Sequence, residues 1–388
     1  MKKKIQTVLT LIGVAWVTYL FTTGFDGEMG AILIAFLTIA PLISLIFALS
    51  ARSRISFDVK CDAYVNKGSE TEVTVSVRKT GRFPLAVVEI VPAVSEVFEK
   101  NTKTYRLSMF SGEHREFTFK VRSKIGGNGS IGISEAYSCG FLGFLRLRIK
   151  QGYPEPVSVG VVPDIPDIKA SSQLFRSIAD VVMTSDDDED NDTSMLFSAN
   201  TAPGYEHREY VQGDPLKRIN WKLSSKKAKL MVRLDEAASA VQPLLVLDLY
   251  RKKDAVPEYA VITEEKLLRA VFGLLTVLVK QGIACDFVYY GSSGEVVTES
   301  VDNPDYPSQL LLKILAVKVE ADRRIELAGC DVCTCLIATT DAGQGISSVT
   351  DAIADKEKAS ILGVSAESTN TTGLPFWYLD EDDNFKMV

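Results

Sequence analysis

Two uninterrupted apolar runs open the chain and then give way to alternating patterns. Residues 5–23 carry no charge, and residues 30–49 are again uncharged and almost wholly apolar. Each run is close to the roughly 20 residues that a helix needs to cross about 30 Å of hydrocarbon, so two transmembrane helices are predicted at about 5–23 and 30–49. Pro41 inside the second is compatible with a span, because neighbouring helices can satisfy the carbonyl it frees. The length of the first run and the lack of a small-residue cleavage site argue against a cleaved leader.

From Ile55 to Val162 the period shortens to two. Thr71 to Val77 alternates polar and apolar residues, as does Glu116 to Val121, and Asn66-Lys67-Gly68, Lys79-Thr80-Gly81 and Ile125 to Gly129 supply turns. Short strands at regular spacing predict an all-β, sandwich-like domain over 53–163. His114, between polar neighbours, reads as a surface loop residue. Residues 164–200, with Pro166 and the run Asp186 to Asp190, read as an acidic linker.

Beyond Pro243 the pattern changes again. An apolar strand at 244–250 is followed by a helix at Thr263–Gln281 closed by Gly282, a strand at Cys285–Tyr290 and a hairpin-like stretch at Glu295–Val301. A helix at Ser308–Lys318, a strand at Thr334–Thr340, a helix at Ile346–Ala354 and a strand at Ala359–Val364 follow. Alternation of this kind predicts an α/β domain with a mainly parallel sheet, here over 201–388. Ligands in such sheets bind beyond the carboxyl ends of the strands, which singles out Asp248 and Asp341.

Composition adjusts this picture in three ways. A chain of 388 residues exceeds one core, so two folded units are expected besides the 1–52 membrane region. The net charge of −7 argues against a nucleic-acid partner. The six cysteines show no disulfide spacing and suit a reducing compartment. Lys2, Lys3 and Lys4 before the first run and Arg52 and Arg54 after the second, against only Asp26 and Glu28 between them, predict an integral cell-membrane protein with two spans and both termini cytoplasmic.

The most distinctive stretch is Gly204 to Lys226. It resembles the signature of the bacterial domain-of-unknown-function 58 family, approximately Arg-x-Tyr-x-x-Gly-Asp, then Arg-x-Ile-x-Trp-Lys-x-Ser. Arg208, Tyr210, Gly213, Asp214, Arg218, Ile219, Trp221, Lys222 and Ser224 match. The paired N-terminal apolar runs, and a β-rich region ending in a turn like Ser138 to Phe144, are also similar to that family. The resemblance implies a von Willebrand factor type A-like C-terminal domain and a MoxR-type AAA+ ATPase as partner. In a type A domain that holds magnesium, Asp-x-Ser-x-Ser follows the first strand. Here the run is Asp248-Leu249-Tyr250-Arg251-Lys252, where Tyr250 and Lys252 replace both hydroxyl ligands. Magnesium on Asp248 and Asp341 would therefore have a weak site, and the cofactor expectation is none.

Other constellations read blandly. Lys217 to Arg233 holds seven basic residues and no acidic one, a solvated basic edge or a patch for an acidic protein or anionic lipid. Trp221 is expected to anchor its segment by packing onto a sheet. Cys330, Cys333 and Cys335 lack the further ligands of a zinc site and read as small buried thiols. With no phosphate loop, nucleophile elbow or zinc-protease helix, nothing positive points to an enzyme. The expected function is a membrane-anchored, cytoplasm-facing adaptor in envelope-related assembly. The alternative is a divalent-metal-dependent hydrolase or binding protein using Asp248 and Asp341.

Overall fold

The structure is a computed structural model. It describes residues 12–20, 23–24, 27–51, 54–81, 84–100, 103–140, 146–184, 201–210, 219–227, 229–237, 242–327, 334–343, 345–353, 356–366 and 370–388. The chain divides into two compact units, Met1–Val162 and Pro163–Val388.

In the first unit helix α1 (Gly27–Ala51) precedes nine strands: β1 (Ile55–Lys60), β2 (Tyr64–Asn66), β3 (Glu70–Lys79), β4 (Leu85–Val94), β5 (Tyr105–Met109), β6 (His114–Arg122), β7 (Gly127–Cys139), β8 (Arg146–Arg148) and β9 (Val157–Val162). They form two sheets, β1-β3-β6 and β2-β9-β7-β4-β5, with β8 paired to β7. The alternating sequence decides which face turns inward, because successive side chains point to opposite sides of a strand. Ile55, Phe57 and Val59 of β1 and Val73, Val75 and Val77 of β3 are buried. Aromatic rings join the sheets: Tyr105 on β5 stacks on Phe117 and Phe119 of β6 at 4.9 and 5.3 Å. Tyr153 ties down the chain after β8, its hydroxyl accepting from the Ala136 amide at 2.8 Å and donating to the Ile149 carbonyl at 2.7 Å. His114 begins β6 rather than lying in a loop, exposed and 3.0 Å from Glu116.

Among the described residues no helix is long and apolar enough to cross a membrane. That finding overturns the two predicted spans at 5–23 and 30–49, the integral-membrane expectation and the cell-membrane location with both termini cytoplasmic. Residues 1–11 and 21–22, within or next to the first predicted span, lie outside the described residues. A spanning helix would face hydrocarbon along its length. Instead, the end of α1 is seated on the β-sheet, where Ser44 and Ala48 are buried and the Ser138 hydroxyl donates to the Ala48 carbonyl at 3.2 Å. Phe36, Leu42 and Ile46, on other sides of the helix, are exposed.

The second unit begins with α2 (Gln173–Thr184), inside the stretch expected to be a linker. Leu174, Phe175, Ile178 and Ala179 are buried, a spacing that gives one apolar helical face. The acidic run at 186–190 lies outside the described residues. Strand β10 (Thr201–Glu209), helix α3 (Trp221–Lys227) and strand β11 (Met231–Ala237) follow, with β10 and β11 antiparallel.

Next come β12 (Leu244–Asp248), α4 (Pro257–Lys280), β13 (Cys285–Tyr290), β14 (Val296–Val301), α5 (Tyr306–Leu315), β15 (Cys335–Thr339), α6 (Ser347–Thr350), β16 (Ala359–Gly363), β17 (Phe376–Leu379) and β18 (Phe385–Met387). Their sheet has the order β14-β13-β12-β15-β16-β17-β18. The inner pairings are parallel, and β14 and β18 are antiparallel additions at the two edges. All five residues of β12 are buried, as a central strand covered on both faces requires. Helix α4 opens with proline in its first turn, where a missing N–H costs nothing. It closes at Gly282, whose φ of 80° lets the Ile283 amide return to the Leu278 carbonyl at 3.0 Å.

Gly152 shows how tightly the first unit constrains its backbone. It has φ 87°, and a Cβ there would lie 2.1 Å from the Ile55 carbonyl oxygen. Gly68 has φ 79° with open space around it. Gly68→Ala should therefore cost only the left-handed penalty of about 1–2 kcal/mol. Gly152→Ala adds a backbone clash and should cost well over about 2 kcal/mol. Urea unfolding followed by circular dichroism checks the ranking, which equal losses would contradict.

Candidate functional site

Strand β12 leaves the core at Asp248, directly opposite Thr339 in the parallel register with β15. The chain runs from β12 to β13 on one side and later returns to β15 on the other. The gap beyond Asp248 and Thr339 is therefore the sheet's topological switch point. Asp248 is 1 % exposed, and a buried carboxylate must be satisfied. One oxygen accepts from Arg324 Nη1 at 2.7 Å and from the Thr339 hydroxyl at 3.0 Å, and the other accepts from the Ile325 amide at 3.3 Å.

Arg324 reaches this position through local structure. Asp322, at φ 57°, kinks the chain, a conformation that aspartate tolerates better than most residues. Its amide bonds the Arg251 carbonyl at 2.8 Å, and its carboxylate accepts from the Lys253 amide at 3.0 Å. Ile325, fully buried, then anchors the segment in the core. Between them the Arg324 guanidinium lies 3.9 Å above the Tyr250 ring and donates to the Asp341 carbonyl at 2.9 Å.

Asp341 is held from the other side. Lys252 Nζ lies 2.9 Å from its Oδ2, and the Gly343 amide donates to its Oδ1 at 3.0 Å. The Lys252 ammonium is stabilised by this carboxylate, which raises its pKa. Arg251, the residue before it, turns away and forks onto buried Glu264 of α4 with two bonds of 2.8 Å. Burial pushes the Asp248 carboxyl above its ordinary value, while the Arg324 charge, the Ile325 amide and the Thr339 hydroxyl pull it back. Burial likewise raises Glu264 against the pull of Arg251.

The structure thus brings the two predicted metal ligands to one place, but a divalent cation does not fit between them. Magnesium needs near-octahedral oxygen ligands. The position is filled by a guanidinium bonded to Asp248, an ammonium on Asp341 and the Tyr250 ring. Among the described residues no group of three or more potential ligands could hold a metal. The charges are balanced by side chains of the chain itself.

The signature residues form a second locus. Asn220 caps α3, its side-chain oxygen accepting from the Leu223 amide at 3.1 Å. Buried Ser224 donates to the Asn220 carbonyl and accepts from the Met231 amide, both at 2.8 Å, which fastens α3 to the start of β11. Ile219 is buried, and the Tyr210 amide bonds the Leu230 carbonyl at 2.8 Å. Trp221 does not pack down as expected: it is 65 % exposed, beside exposed Lys222. It is the first residue of α3, ahead of the turn that buries Ser224. Lys226, Lys227 and Lys229 are also exposed. Arg208 belongs to β10, while Gly213, Asp214 and Arg218 lie outside the described residues, as do Cys330 and Cys333. Cys335 is buried in β15.

Sequence reasoning missed Arg324, Lys252 as an ion-pair partner and Asn220. Asparagine before a helical Trp-Lys-x-Ser was a readable cap signal. Nothing in the run Asp322-Arg323-Arg324-Ile325 distinguished the arginine that turns inward.

No family model matches the chain, and no curated protein matches it. Among solved structures, a CARDB domain from Pyrococcus furiosus in complex with di-metal ions is similar at 15 % identity over 28 % of this chain and 94 % of that one, with a TM-score of 0.23. A cohesin module from a Clostridium perfringens family 33 glycoside hydrolase is similar at 12 % identity over 28 % and 98 %, also with a TM-score of 0.23. Escherichia coli alpha-2-macroglobulin, from domain MG7 to the C-terminus, is similar at 15 % identity over 30 % and 18 %, with a TM-score of 0.25. At these scores the likenesses carry no argument.

The expected fold class, two membrane helices with a sandwich and a type A-like domain, does not stand. More of the described residues lie in β-strands than in helices, and among them no helix is long and apolar enough to cross a membrane. The helix expected at Ile346–Ala354 is one turn, Ser347–Thr350. Among the described residues a 3-10 turn at Lys356–Lys358 then precedes β16, and this connection carries no long helix.

Removing Arg324 tests the ion-pair account. Arg324→Ala leaves Asp248 buried without its cation, which should cost about 3–5 kcal/mol at pH 7. A carboxyl whose folded pKa is raised loses stability as pH climbs from its unfolded value, near 4, through the folded value. Without Arg324 the folded value rises further, so the deficit should shrink at about pH 4.5. Asp248→Asn in the same background should recover part of the loss at pH 7. Equal deficits at both pH values, measured by urea denaturation, would refute the account.

Proposed function

We propose that this chain is a protein-interaction module whose working surface is the signature segment around α3. The observation that supports this reading most is the exposure of Trp221. A large indole held outside the core, on a helix locked by Asn220 and Ser224, is the kind of rigid aromatic anchor that dominates binding energy. Lys222, Lys226, Lys227 and Lys229 surround it with positive charge, which suits an acidic protein face.

The resemblance of the segment to the domain-of-unknown-function 58 signature supports a MoxR-type AAA+ ATPase as that partner. The Asp248-Arg324-Asp341 cluster serves as an internal brace in this reading, and the chain acts as an adaptor without turnover of its own.

Affinity capture from extracts of the native host, using the tagged full chain with and without ATP and magnesium and read by mass spectrometry, tests the proposal. Recovery of an AAA+ ATPase is expected. In a direct titration with that ATPase, Trp221→Ala should cost about 2 kcal/mol, near a thirtyfold loss of affinity. Lys226→Glu with Lys227→Glu should slow association and weaken its salt dependence. Unchanged affinity in both variants would remove α3 from the interaction.

A further inference from the structure

A cavity of about 180 Å³ opens beside the brace, beyond the carboxyl ends of β12 and β13. Its floor is apolar: Leu247, Leu249, Ile314, Val317 and Val319 line it, together with the Tyr289 ring. The Tyr289 hydroxyl is engaged with Glu299 at 3.0 Å, and burial with that carboxylate pushes its pKa up to about 12, so it stays a neutral phenol.

The mouth is built differently. Ser292 and Ser293, in the turn between β13 and β14, are exposed, and among the described residues their hydroxyls and amides make no hydrogen bond. Lys318 is exposed and has no ion-pair partner among the described residues. Arg323 stacks on the Tyr290 ring at 4.2 Å and donates to the Gly294 carbonyl. Two acids bear on the rim: Glu320, paired with Arg323 at 3.0 Å, and Glu295, whose carboxylate lies against Gly291. The rim therefore offers hydrogen-bond donors, the exposed Lys318 ammonium among them, above an apolar floor.

We infer that this cavity binds a small amphipathic anion, a single-ring aromatic carboxylate, with the ring on the floor between Leu249 and Val317 and the carboxylate at the mouth. Size supports the ring, since a dry apolar cavity of about 150 Å³ already holds benzene. Donor chemistry supports the carboxylate: Lys318 and the Ser292–Ser293 turn supply the hydrogen-bond donors that an anion of this kind uses. A few convergent polar groups over an apolar pocket are the usual form of a small-molecule site. The inference is independent of the partner proposed for α3, because none of these residues belongs to that segment.

Benzoate, benzyl alcohol and benzylamine titrated into the full chain, followed by saturation-transfer NMR and calorimetry, provide the test. Benzoate should bind at least tenfold more tightly than either of the others. Lys318→Gln should remove most of that preference, and Val317→Trp, which puts an indole into the floor from a half-buried position, should abolish binding while the circular dichroism spectrum stays unchanged. Equal binding of benzoate and benzyl alcohol would overturn the anion assignment. Full benzoate binding by Val317→Trp, or none by the parent chain at about 10 mM, where a ligand with a 1 mM dissociation constant would be mostly bound, would overturn the site itself.

Discussion

The guanidinium of Arg324 joins three parts of the second unit where the β12–β15 ladder ends. It reaches the carboxylate at the end of β12, the main chain just after β15 and the ring of Tyr250 in the loop between β12 and α4. Without it the Asp248 charge would be buried beside no cation, the Asp341 carbonyl would keep only the Thr339 hydroxyl, and the Tyr250 ring would lose the cation above it. One planar cation with five donors answers all three, which an ammonium could not do with the same geometry. The neighbouring side chains are sorted accordingly, Arg251 to Glu264 and Lys252 to Asp341.

Local pattern was readable where one physical effect dominated. The alternation of Val with polar residues through 71–77 located β3, and an uninterrupted apolar run bounded by Gly282 located most of α4. Asp248 and Asp341 were found from the rule that strand ends carry function, and they do lie together. What the pattern could not reveal was long-range: Arg324 is remote in sequence from Asp248, and adjacent Arg323 has the same chemistry but turns the other way. The apolar N-terminal runs misled for a related reason, since hydrophobicity measures a need for cover without saying what supplies it. For Ser44 and Ala48 the cover is strand backbone and side chain of the same unit.

Trp221 reverses the usual inference from residue type. An indole in an apolar-alternating segment normally packs inward, yet here the inward positions are filled by Ile219 and Ser224, and the helix begins at Trp221 itself. Capping by Asn220 sets the direction of the first turn and so carries the tryptophan outward. Polar residues at short range thus decide what the largest side chain of the segment does.

The two antiparallel edges of the large sheet bear on how this protein behaves in a crowded cell. A parallel sheet left open would present rows of free amides and carbonyls to any extended chain nearby. Here one flank ends in β14, whose outward positions include Thr298 and Ser300, and the other in β18, three residues long with Lys386 drawn back onto Asp380 at 2.8 Å. With three residues in β18 and polar positions alternating along β14, neither margin is the long, flat apolar selvedge onto which a neighbouring molecule could weave a strand.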